Sequence, residues 1–128
     1  YIGPGQNTFV GFDKISADKI DNTLKGTYNL FVKNGILAKD IAIAPSGSWA
    51  DFVFSADYSL KKIDEVERFV NANKHLPDVP SANDVKEKGY SQHEINKILL
   101  QKIEELTLYI IEQNKQLEKL KNQLEKNN

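Results

Sequence analysis

The chain has 128 residues, 40% hydrophobic and 27% charged, with 17 Lys plus Arg against 18 Asp plus Glu and a net charge of -1. That balance excludes the basic footprint of a nucleic-acid or anionic-lipid binder, and no apolar run approaches the roughly 18 residues needed to span a membrane. Cysteine is absent, which removes disulfides and thiolate metal sites together. Methionine is absent too. Because translation starts with Met, Tyr1 reads as an internal residue of a longer product, with room upstream for a signal peptide.

Residues 1 to about 58 read as strand-forming. Thr8-Phe9-Val10-Gly11-Phe12 and Tyr28-Asn29-Leu30-Phe31-Val32 combine aromatic and β-branched residues with Gly or Asn punctuation. Asn34-Gly35 is the strongest short turn signal and predicts a hairpin between Leu30-Phe31-Val32 and Ile36-Leu37. Ile41 and Ile43 alternate with Ala42 and Ala44, and residues 49–54 supply a further short apolar strand. Polar stretches such as residues 18–25 separate these runs. Strands so sparse are expected to need other copies of the chain to complete a core.

From Leu60 the period changes. Leu60, Ile63, Val66, Phe69 and Val70 follow helical spacing, with Asp64, Glu65, Glu67 and Arg68 opposite. The helix is expected to stop near Asn73, since Pro77 and Pro80 restrict the residues before them. Ser81 with Asp84 reads as a capping box for a short helix that Gly89 ends. Ser91 with Glu94 repeats the signature and opens the last helix, over residues 91 to about 126.

That helix carries a heptad stripe. Ile103, Ile110, Leu117 and Leu124 occupy position a, and Leu99, Leu106, Gln113 and Leu120 position d. An apolar seam sustained over nearly four heptads predicts a coiled coil. Its seven apolar side chains offer on the order of 10–20 kcal/mol gross per chain when wholly buried. Gln113 is expected to fix register. Asn114, Gln116, Lys121 and Gln123 flank the seam with little charge, which favours self-association over a foreign partner; the heptads leave dimer and trimer open. Between residues 98 and 111, Ile98, Leu100, Leu108, Tyr109 and Ile111 lie off the seam. A helix apolar nearly all round is expected to be buried all round, here against residues 60–70 and 49–54. Only the part beyond Glu112 is expected to project freely.

Little else carries chemistry. His75 and His93 have no acid at ligand spacing, so no metal site is expected, and no cofactor. His75 is read as capping or packing in the proline loop. Glu104 and Glu105 are read as solvated or salt-bridged. Trp49 and Tyr58 are read as core anchors, with glycan stacking as the sharper alternative. Gly3-Pro4-Gly5 lacks the following helix and Lys-Ser/Thr of a phosphate loop.

Trp49-Ala50-Asp51-Phe52-Val53-Phe54, Glu65-Val66-Glu67, His75-Leu76-Pro77-Asp78-Val79-Pro80-Ser81-Ala82 and residues 99–109 together resemble a known family. It is the endosialidase-type intramolecular chaperone domain that ends tail-fibre-like proteins of Bacteroidetes and their phages, and the resemblance spans about residues 28–124. The fragment Asn7-Thr8-Phe9-Val10-Gly11 resembles the end of the repeats that precede such domains. The resemblance implies a homotrimer, on a virion tail or at the cell surface, that sets the register of an upstream β-rich fibre in the same polypeptide. Some relatives release themselves with a serine nucleophile beside an aspartate; here Ser46-Gly47-Ser48-Trp49-Ala50-Asp51 lacks the adjacent pair, and Lys61 and Lys62 read as exposed. An enzyme is therefore not expected.

The expected fold is α+β: a β-rich, fibre-like segment over residues 1–48, a small α+β body over 49–111 and a trimeric coiled coil over 112–128. The expected function is trimerisation and intramolecular chaperoning. A fibre tip that binds a cell-surface receptor or glycan, and a self-cleaving serine peptidase, are the alternatives.

Overall fold

The computed structural model describes residues 6–44, 47 and 49–127. Its contacts divide the chain into two units, one ending at Ala42 and one starting at Ile43.

In the first unit, β1 (Thr8–Val10) and β2 (Leu30–Val32) pair in parallel, Phe9 opposite Phe31. Their rings stack with centroids 5.1 Å apart, and Phe12 meets Phe9 edge-on at 6.0 Å. A parallel pair needs a crossover. The polar stretch between them supplies it as two short helices, α1 (Lys14–Asp18) and α2 (Asn22–Thr27). Each starts at an aspartate whose carboxylate accepts a backbone N–H: Asp13 from Ser16 at 2.8 Å and Asp21 from Thr23 at 2.7 Å. Those bonds hold both carboxyls below their ordinary pKa. The Asn7 amide donates to the carbonyls of Lys25 and Tyr28 at 3.0 and 2.7 Å, fixing the end of α2 beside β1.

This corrects the all-strand reading of residues 1–58. No hairpin forms at Asn34-Gly35: β2 pairs with β1 instead, and residues 33–44 contain no strand. Ile36, Leu37, Ile41 and Ile43 all stand exposed.

In the second unit the run at residues 49–54 is also not a strand. Asp51–Phe54 forms a 3-10 turn that sends Val53 into the core, 1% exposed. A run this short has too little length for its period to separate strand from helical turn. Trp49 is 53% exposed, so it is not a core anchor; its ring lies 6.2 Å from that of His93.

The helices follow the sequence closely. Helix α3 (Ile63–Asn73) ends at Lys74, in the left-handed region at φ 62°. His75 Nδ1 then donates a 2.9 Å hydrogen bond to the Leu76 carbonyl, and its ring stands edge-on to Phe69. Helix α4 (Ala82–Lys88) opens with the expected reciprocal bonds, each 3.1 Å, between Ser81 and Asp84. Helix α5 (Gln92–Lys126) has 35 residues, about 50 Å of helix. Ser91 caps it by accepting from the Glu94 N–H. The Glu94 carboxylate turns to Lys97 at 2.8 Å rather than back to the cap, so this box has one half only.

Gly89 joins α4 to α5 at φ 68° and ψ -163°, a conformation open essentially to glycine alone. A Cβ there would meet no atom within 4 Å, so the cost of a side chain lies in the backbone. Gly89→Ala is expected to lower stability by about 1–3 kcal/mol in urea unfolding. An unchanged midpoint would refute this account.

Candidate functional site

The eight heptad residues lie along one face of α5, and that face is open. Leu99, Ile103, Leu106, Ile110, Leu117, Leu120 and Leu124 are 48–67% exposed, and Gln113 is exposed among them. The opposite face is covered from about Lys97 to Tyr109. The 3-10 turn packs there, and Ile98, Leu100, Leu108 and Tyr109 are half-buried. The proximal half is thus not buried all round. The body covers the back and the flank bearing Lys102 and Tyr109, and leaves the seam open. From Ile111 to Asn127 every residue is exposed.

What the body does bury is charged. Lys102 and Glu104 are 7% and 8% exposed. The Lys102 ammonium donates to Asp78 at 3.1 Å and to Glu105 at 2.9 Å. Tyr58 donates to Glu105 at 2.5 Å, and the Gln101 amide donates to Glu105 at 2.9 Å. Lys61 sits 3.5 Å from Asp78 and is exposed. Asp78 holds its place by a left-handed backbone, φ 64°, which aspartate tolerates better than most residues. One cluster therefore ties the Tyr58 segment and the proline loop to α5. Tyr109 adds a 2.6 Å bond to the Lys61 carbonyl at the start of α3.

The electrostatics follow from those partners. Burial alone would disfavour the charge on Lys102, but the bonds to Glu105 and Asp78 outweigh it and raise its pKa above the usual lysine value. Burial likewise opposes ionisation of Glu105, and its three donors outweigh that and lower its pKa. The Lys102 bond lowers Asp78. Burial, then the bond to Glu105, pushes Tyr58 up. Glu104 differs: its Oε2 is buried with no hydrogen-bond partner. Sequence reasoning read Glu104 as solvated or paired and passed over Lys102. The available signal was the i, i+3 spacing of Lys102 and Glu105 inside an otherwise apolar stretch.

Of the residues considered for self-cleavage, Ser46 and Ser48 lie outside the described residues, Asp51 is exposed, and Lys61 pairs with Asp78. Among the described residues no group of three or more His, Asp or Glu is placed to hold a metal ion, and no helix is long and apolar enough to cross a membrane.

The site is thus an open apolar stripe on one face of α5 and an ionic cluster on the other. Comparison with protein-family models, curated proteins and solved structures finds no match.

Proposed function

We propose that the chain is a homotrimerisation and intramolecular-chaperone module, which sets the register of a β-rich fibre belonging to the same polypeptide. The observation that carries this reading is the inversion on α5. A lysine and a glutamate are buried while seven aliphatic seam residues stay in water. Burial of charge is costly and burial of aliphatic surface is favourable, so the arrangement suits a helix whose seam is covered by copies of itself. The number three comes from the family resemblance.

The chemistry of chaperoning follows from the seam. Joining chains raises the effective concentration of everything attached to them. Non-local strand pairing is slow and prone to aggregation, and chains held in register start it from an aligned nucleus. Ile36, Leu37, Ile41 and Ile43, exposed in one chain, are the kind of sparse apolar pattern that other copies complete. Such a module belongs on a virion tail or a cell surface.

Light scattering on the intact chain across a range of concentrations tests the reading. A mass of three chains is expected, and a monomer at every concentration would overturn it.

A further inference from the structure

Beside the seam, on the side of Lys102 and Tyr109, the body leaves a trough. Its inner part is a cleft of about 70 Å³ walled by Ile63, Leu76, Pro77, Leu106 and Tyr109. It continues along α5 as a shallower groove of about 380 Å³ past Ile110 and Gln113 to Gln116. Ile63 and Leu76, at its lip, are 59% and 43% exposed.

We infer that this trough seats the Thr107 and Ile111 flank of a second copy's long helix, so that the interface spreads from the seam onto α3. The inference rests on self-association through the seam. Leu106 and Ile110 belong both to the seam and to the trough wall, so a helix that covers one reaches the mouth of the other. In parallel, in-register helices the side bearing Lys102 and Tyr109, position g, faces position e of the neighbour. Those e residues are Leu100 and Thr107, then Asn114 and Lys121, with Ile111 beside them on the same flank, 45% exposed.

The flank is therefore apolar level with the inner cleft at Leu106 and Tyr109, and turns polar at Asn114, level with the outer groove at Gln113 and Gln116. Thr107 fits burial because its hydroxyl already donates to the Ile103 carbonyl at 2.8 Å, leaving no unpaired polar group. An antiparallel neighbour would instead bring its own g side, where Lys102, Gln116 and Gln123 stand in line with Tyr109.

The lack of cysteine makes the test clean. Chains carrying Ile63→Cys alone and chains carrying Ile111→Cys alone are refolded together, oxidised and digested, and the bridges identified by mass spectrometry. A 63–111 bridge can form only between chains. It is expected to exceed the 63–63 and 111–111 bridges several-fold. Equal or dominant like-to-like bridges, or a cysteine at 63 that stays reduced, would overturn the inference. Light scattering on the same mixture, with Gln113→Cys chains as a seam control, separates the failures. An oligomer that bridges at 113 without a 63–111 bridge sinks the trough alone, and a monomer sinks the self-association reading with it.

Discussion

Replacing Leu117 and Leu120 with aspartate is expected to turn the assembled chain into a monomer. Both residues lie in the part of α5 where every side chain is exposed in a single chain, so the body has no stake in them. Each loses about 1.5–3 kcal/mol of available burial, and a carboxylate in its place must be neutralised or left in a dry seam. For two positions the penalty is about 3–6 kcal/mol per chain, more than a hundredfold in the dissociation constant. Sedimentation should show one chain's mass where the parent shows several. Far-ultraviolet dichroism should fall by the distal turns, because a helical segment of about 15 residues without packing is marginal in water. The body, held by its own contacts, should keep its near-ultraviolet signal. An unchanged mass would mean that the seam does not join the chains.

Lys102→Met is expected to cost the body about 2–4 kcal/mol, the second largest effect. Breaking one side of a buried pair is worse than never having had it, since the remaining charge is left desolvated. Glu105, with 14% of its side chain exposed, would keep Tyr58 and Gln101 as donors but lose its cation. Asp78 is 52% exposed and loses less, because water screens it. Adding Glu105→Leu to Lys102→Met should restore part of the loss. Urea unfolding at a fixed chain concentration reads all three variants, and a single substitution within about 0.5 kcal/mol of the parent would refute the role.

The same cluster sets a pH profile. Glu105 and Asp78 have depressed pKa values in the folded chain, so their contribution is present above the ordinary carboxylate pKa and lost as pH falls through the folded values. Lys102 is raised, so its share is present below the ordinary lysine pKa and lost as pH rises through its folded one. Stability from this source should be level across neutral pH and drop on the acid side. Lys102→Met should flatten that acid limb.

The helical part of the fold was legible because its punctuation is local. Ser81 with Asp84, Gly89, Ser91 and the two prolines each act on the residues beside them, and all mark boundaries where the structure has them. The heptad stripe was legible for a related reason, since its period persists along one element. The β region was not. Asn34-Gly35 specifies a bend but not which strand will pair, and β2 found β1 some twenty residues back. The helices α1 and α2 start from aspartate caps that a scan for apolar period overlooks. The covered side of α5 was misread for a further reason: hydrophobicity ranks faces by apolar content, whereas the body chose the face carrying Lys102 and Glu105, because Asp78, Tyr58 and Gln101 could neutralise it.

The bare distal stretch of α5 has a consequence for the life of a single chain. Lys115, Lys119, Lys121 and Lys126 all sit where nothing covers the backbone of an unassembled molecule, while Lys102 is sealed inside the body. A protease that cuts after basic residues is therefore expected to trim a lone chain back to its body. If the chains join through the seam as proposed, the same turns would be covered on assembly and the cut slowed.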